Sequence, residues 1–147
     1  MLLLFPAAVL VMLVLAAIAV DLSAAFLAQR ELADATAAAA NDAATLALSD
    51  RDFYRAGHVS LDAAALQQIA EQRISMVLDV RRHQHLTIQA EPIEPATAGC
   101  HWAVRVSASS SVRYVFAPAI PGGPDEALLQ ASSIARPQDQ ELRSSGC

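Results

Sequence analysis

Four histidines and two cysteines are the first side chains of this sequence to consider for metal binding or nucleophilic chemistry. They are His58, His83, His85, His101, Cys100 and Cys147. His83 and His85 are close together, and Cys100-His101 could join them from a neighbouring strand, but further ligands at workable spacing are missing. Because Arg81 and Arg82 precede them, we interpret this cluster as a solvated helix end at the negative pole of the helix dipole. No metal is expected.

Motifs of known catalytic or nucleotide-binding sites do not occur. The sequence contains no G-x-S-x-G, H-E-x-x-H, P-loop or G-x-G-x-x-G pattern. Gly122-Gly123 is a turn between prolines, and the serines of 107–111 have no specific base paired with them in sequence. We therefore expect a protein that is not an enzyme, without catalytic residues, cofactor or small-molecule substrate.

The two cysteines leave three states open. If the domain lies outside the membrane, oxidation is allowed, and a disulfide between Cys100 and Cys147 would tie a polar C-terminal tail to the sheet. Two free thiols, or a bond between chains through Cys147, are the alternatives.

The charge balance excludes nucleic acid as a natural partner. The net charge is -5, and all ten basic residues are arginine. An acidic chain is repelled by phosphate backbones and by anionic membrane surfaces.

The first twenty residues predict a transmembrane helix over 1–20. Leu2 to Val20 are all apolar and would span about 28 Å as a helix, close to the thickness of a bilayer's hydrocarbon core. The alternative is a signal peptide, since Ala17-Ile18-Ala19 has the small-x-small form that signal peptidase accepts. Against it, no side chain before Asp21 is charged, and we expect the true start to lie upstream, with a short basic segment.

An alanine-rich stalk helix is predicted over 21–48, where neither Gly nor Pro occurs. Small residues recur there at alternating spacings of four and three; this alanine seam comprises Ala33, Ala37, Ala40, Ala44 and Ala47. Leu22 and Phe26 continue it toward the membrane. Such a seam lets helices approach closely, either from other subunits or within the chain's own domain. On the first interpretation, Ala40→Glu should disturb assembly and leave the sheet domain folded.

Residues 49–135 predict a small α+β domain. Ser60 is a suitable N-cap for a second helix over about 61–81. Strand patterns follow at 86–93, 102–108, 112–116 and 128–135, and 101–116 could be two strands or one strand bent at Ser109-Ser111. The fold class is therefore α+β, with a long N-terminal helix, a short second helix and an antiparallel sheet of three to four strands. Residues 136–147 are expected to form a flexible tail.

The run FPAAVLVMLVLAAIAVDLSAAFLAQRELADATAAAANDAATLAL resembles the N-terminal segment of TadE/TadG-like pilus-assembly proteins of the Tad (Flp) system. The matching residues include Asp21, Gln29, Arg30 and Asp34 and the alanines that follow. The segments FYRAG and VRYVFAPAIPGG resemble actinobacterial members.

This resemblance implies a pilin-like fold and a single-pass envelope protein, with a cytoplasmic N-terminus and an extracytoplasmic domain. It implies a non-enzymatic, minor-pilin-like subunit whose partners are the lipid bilayer, other pilin-like subunits and Tad assembly-platform proteins. Its packing surface would comprise Phe26 and the alanine seam. The alternative function is that of a secreted α+β binding module, released by signal peptidase after Ala19.

Overall fold

The computed structural model describes residues 4–46, 62–79, 81–93, 103–120 and 122–136. Two helices and three strands follow one another as α1 (Leu4–Leu46), α2 (Ala63–Val77), β1 (Gln84–Ile93), β2 (Ala103–Arg113) and β3 (Glu126–Ala135). A short 3-10 helix, Ala117–Ala119, lies between β2 and β3. The predicted α+β class, with a long first helix, a second helix and an antiparallel sheet, is confirmed.

Helix α1 is unbroken from the apolar run into the alanine-rich segment. Its 43 residues correspond to a length of about 65 Å. Pro6 lies in its first turn, where the missing N–H would have no helical partner, and from Ala7 to Leu46 neither Gly nor Pro interrupts it. The transmembrane and stalk segments predicted from sequence therefore belong to one helix.

Helix α2 begins later and ends earlier than predicted. Its N-cap is Asp62, whose carboxylate accepts hydrogen bonds from the backbone N–H groups of Ala64 and Ala65 at 2.9 and 3.4 Å. The expected N-cap, Ser60, is therefore wrong, because Asp62 supplies the acceptor that the first free amides need. The helix ends at Val77, so Arg81 and Arg82 lie in a turn beyond it.

The sheet is antiparallel with the order β1-β2-β3, so β2 is central. Strand β2 runs straight through the three serines that sequence left as a bend, because both neighbours pair with this stretch: Ser109 lies opposite Thr87 of β1 and Gln130 of β3. The alternative of two separate strands does not hold. The pairing of β1 shifts register between Gln84 and Thr87, and His85 in that irregularity has a φ of 51°.

Both helices cover one face of the sheet. The core contains Leu32 and several alanines from α1, Leu66 and Ile74 from α2, and Val104 and Val106 from β2. Helix α2 is also tied to the sheet edge, since the Gln67 side chain accepts from the Ala90 N–H at 2.8 Å and donates to the Ile88 carbonyl at 3.0 Å. The opposite sheet face is open. Its middle is polar and carries Thr87, Gln89, Ser107, Ser109, Gln130 and Ser132.

Candidate functional site: the first helix and the loop it holds

The N-terminal part of α1 presents large apolar side chains that no part of the described chain covers. Phe5 is 76% exposed, Met12 72% and Leu13 66%. By length and composition the helix is able to cross a membrane. A helix of this kind near an N-terminus can also be a signal sequence or a core helix, but a core helix would be mostly buried, and this segment is not.

The alanine seam divides into an exposed and a buried part. Ala40 and Ala44 are buried in the chain's own core, Ala37 is half-buried, and Ala33 is exposed. Ala47 lies outside the described residues. The expectation that Ala40→Glu would spare the domain is wrong, because Ala40 is 0% exposed and the added carboxylate would have to enter the hydrophobic core.

An exposed apolar stripe remains on α1 between Asp21 and the buried part of the seam. It comprises Leu22, Phe26 and Ala33, which we call the exposed seam. Leu22 is 59% and Phe26 67% exposed. Their spacings of four and seven residues place all three on one side of the helix. Packing on the chain's own domain therefore accounts for the buried members of the seam, whereas Leu22, Phe26 and Ala33 remain exposed within the described part of the chain.

Asp21, at the end of the apolar run, joins α1 to the chain segment after β2. It is buried, with 4% of its surface exposed. One carboxylate oxygen accepts from the Val115 N–H at 2.8 Å, and the other accepts from the Ala117 N–H at 2.7 Å. The Phe116 N–H lies between them, at 3.1 Å from each oxygen. Three consecutive backbone amides thus converge on one carboxylate.

The amides explain how a carboxylate is held in this position. Burial raises the pKa of Asp21, but the hydrogen bonds donated by the backbone amides of Val115, Ala117 and Phe116 lower it by more. The pKa therefore lies below its ordinary value of 3.8, and the charged form is favoured. In the sequence, Asp21 is recognisable as the first charge after the apolar run and as one of the residues of the family resemblance, but not as a hydrogen-bond acceptor. Its partners are more than ninety residues away in the chain, and no local pattern indicates them.

His83 is not part of a solvated helix end. It is buried, with its Nδ1 3.0 Å from the Ser110 Oγ and its Nε2 3.8 Å from a carboxylate oxygen of Glu31 on α1. The interpretation made from RRHQH is therefore wrong, because the turn after α2 directs this side chain between α1 and β2. Arg82 lies 3.6 Å from the same carboxylate.

The remaining predicted site residues are those considered for metal binding and for the disulfide. Among the described residues, no group of three or more His, Cys, Asp or Glu side chains is arranged to hold a metal ion. His58, His101, Cys100 and Cys147 lie outside those residues, so the proposed disulfide stays a prediction, as does the flexible tail.

Comparison with known proteins identifies no relative. No family model, curated protein or solved structure matches this chain. The surfaces of α1, the contacts of Asp21 and the sequence resemblance are the features that bear on function.

Proposed function

We propose that this protein is a membrane-anchored, non-enzymatic subunit of a Tad/Flp-type pilus or a related secretion assembly, and that it packs through its N-terminal helix. The observation that carries the proposal is the change of surface along α1. The helix has an uncovered apolar surface from Phe5 to Val20, and it enters the protein core from Ala28 onward without a break. This distribution of apolar side chains suits a helix whose first part lies in lipid and whose second part is packed in protein.

In the proposed mechanism, the apolar run holds the subunit in the bilayer before assembly. The same run then packs against the equivalent helices of neighbouring pilin-like subunits. The exposed seam prolongs that surface beyond the membrane, where Phe26 supplies contact area and Ala33 allows close approach of a second helix. The N-terminus lies in the cytoplasm, the domain lies outside, and Tad assembly-platform proteins are the expected partners.

Complementation in a host that assembles Tad/Flp-type pili tests the proposal. The gene for this chain, or its counterpart, is deleted and replaced by the wild type, by Phe26→Glu or by Leu128→Glu. Both side chains are exposed, Leu128 by 85% and Phe26 by 67%, so neither substitution should unfold the domain. Leu128 lies on β3, on the sheet face opposite the one that packs into the core, and serves as the matched control.

We expect wild type and Leu128→Glu to restore pili, counted per cell by electron microscopy, and Phe26→Glu to fail at equal membrane levels. Unchanged pilus numbers in the deletion strain would contradict a role in the assembly. Restoration by Phe26→Glu would contradict packing through the exposed seam.

A secreted binding module is the second candidate, because every described residue of α1 that is buried follows Ala19. Cleavage after Ala19 would therefore keep Asp21 and the core intact. The intact mass of the mature protein separates the two candidates: a product that begins at Val20 in the soluble fraction supports the module, and an uncleaved apolar run in the membrane fraction supports the anchored subunit.

A further inference from the structure

The segment between β2 and β3 is apolar although it is a surface loop. Residues 114–124 read YVFAPAIPGGP and contain no charged side chain, while Arg113 and Asp125 flank them. We call this segment the junction loop. Val115 is 66% exposed, Phe116 44% and Ile120 43%. Clustered exposed apolar side chains on a loop indicate a contact with an apolar surface or partner.

The position of the junction loop along α1 identifies that surface. The loop is held at Asp21, the first residue after the apolar run, by the three amide hydrogen bonds described above. It also extends back over the run itself, because Ile120 and Gly123 line a cleft of about 220 Å³ together with Ala17 and Ile18. The loop therefore lies beside the last turn of the apolar segment.

Most backbone N–H groups of the junction loop are hydrogen-bonded within the chain. Seven of its backbone N–H groups donate to acceptors within the chain, namely those of Tyr114, Val115, Phe116, Ala117, Ala119, Ile120 and Gly123. Three further residues of the loop are prolines, which have no N–H to satisfy. Gly123 makes the compact path possible, because a Cβ there would overlap the Ala117 carbonyl oxygen. Backbone donors that need no water suit a segment near hydrocarbon, where an unpaired N–H is costly.

We infer that the junction loop is a second membrane-contact element, which places Val115, Phe116 and Ile120 in the interfacial layer of the leaflet that α1 leaves. The inference rests on the proposed function in one respect, namely that α1 spans the bilayer. The occupant of the apolar surface is lipid, because this surface is continuous with the lipid-facing side of α1 and carries no charge that could select a protein partner. Tyr114 in the same loop is of a residue type that, with Trp, is enriched at the membrane–water interface.

A contact at two points would fix the orientation of the domain on the membrane. A single helix leaves a domain free to rotate about the helix axis and to tilt with it. With the junction loop in the interface, the loop end of the sheet faces the bilayer and its other end points away. Ile134 pairs with Arg105 near that other end, about 27 Å along the strands from the Arg113–Glu126 pair.

Site-directed spin labelling of the full chain in phosphatidylcholine–phosphatidylglycerol vesicles tests the inference. In a background with Cys100→Ser and Cys147→Ser, single labels are placed through Leu13→Cys, Val115→Cys and Ile134→Cys. All three native side chains are exposed, so the labels should leave the fold unchanged. Collision rates with oxygen, which concentrates in lipid, and with a water-soluble nickel chelate report the surroundings of each label.

We expect labels at positions 13 and 115 to collide with the chelate several-fold less than the label at 134. High chelate collision at 115 with protection at 13 would overturn the inference and leave the membrane anchor intact. High chelate collision at 13 would overturn the anchor itself. Protection at 115 with spin–spin broadening that grows with the protein-to-lipid ratio would assign the surface to a second copy of the chain and thus overturn the lipid contact.

A second measurement does not depend on removing the cysteines. A photoreactive benzoyl-phenylalanine replaces Phe116 in the otherwise native full chain, which is irradiated in the same vesicles. A mass increase equal to one phospholipid supports the inference. An unchanged mass, or an adduct to a second chain without any lipid adduct, contradicts it. The same residue introduced at Ile134 is the control and should give no lipid adduct.

Discussion

The two halves of helix α1 reverse the usual relation between side-chain size and burial. From Phe5 to Val20 every side chain except that of the half-buried Ala17 is exposed, including all the large apolar ones. From Asp21 onward the fully buried positions are mostly alanine, with Leu32 and Thr36 as the bulkier exceptions. In water, large apolar residues are normally the ones that a protein buries. The reversal is understandable if the first half has lipid as its solvent.

Alanine in the second half has a different physical role. Ala35, Ala39 and Ala43 are fully buried against the rest of the domain, and small side chains allow a helix axis to lie close to its neighbours. The gain in apolar area per residue is small, but alanine also has the highest helix propensity. One element can therefore remain helical over its whole length while its surroundings change at Asp21.

The largest expected effect comes from a charge in the buried part of the alanine seam. Ala40→Glu places a carboxylate where the side chain is 0% exposed, and an unpaired buried charge costs about 4 kcal/mol of the free energy of unfolding. Ala33→Glu, on the same helix at an exposed position, should change it by less than about 0.5 kcal/mol. Chemical denaturation of the detergent-solubilised chain measures both. Equal stability of the two variants would contradict the division of the seam.

A charge in the first half of α1 should affect insertion and leave folding unchanged. Leu13→Asp, at a position 66% exposed, should disfavour the membrane-inserted state by about 3 kcal/mol. Phe26→Asp, which is equally exposed but beyond Asp21, is the matched control and should insert normally. Extraction of membranes with alkaline carbonate measures insertion. Normal extraction resistance of Leu13→Asp would argue against lipid around this half of the helix.

A local effect is expected where the two halves meet. Asp21→Ala removes the acceptor of three backbone amides, so Val115, Phe116 and Ala117 should exchange hydrogen for deuterium faster, while amides of β2 stay protected. Ser23→Ala is the control, because the Ser23 hydroxyl only donates back to the Ala19 carbonyl at 2.7 Å. Unchanged exchange in Asp21→Ala would show that the loop is held by other contacts.

The same contact predicts a pH dependence. Because hydrogen bonds to the carboxylate lower the pKa of Asp21 below 3.8 in the folded state, the contact contributes stability above the unfolded-state pKa. This contribution is lost as the pH falls through the lower, folded-state pKa. Amide proton shifts of Val115 and Ala117, followed by NMR in detergent micelles, should titrate with a midpoint below 3.8. A midpoint at or above this value would contradict the direction of the shift.

The sequence predicts those features that a local pattern determines. It does not predict contacts between segments that are distant in the chain. The α+β class, the long helix and the strand that begins near Leu86 follow from periodicity and composition. The hydrogen bonds of Asp21 to the junction loop and the burial of His83 against Ser110 are tertiary contacts between residues with no shared motif. Helix α2 is shorter than predicted because the Asp62 N-cap determines its start and the turn at Arg81 and Arg82 follows its end; apolar periodicity alone does not determine these bounds.

The smallest expected effect concerns two ion pairs of the second half. Arg73 of α2 lies 2.9 Å from Asp42, and both side chains are about two-fifths exposed, whereas Arg30 and Asp34 are 4.0 Å apart and about three-quarters exposed. Asp42→Ala and Asp34→Ala raise helix propensity and change net charge equally. The difference between their free energies of unfolding therefore reports the difference between the two ion pairs. We expect Asp42→Ala to be the less stable by about 0.5 kcal/mol. Denaturation at low and high salt should show this difference in the free energy of unfolding shrinking as salt is added. A difference of zero at low salt would mean that α2 is held to α1 by apolar contacts alone.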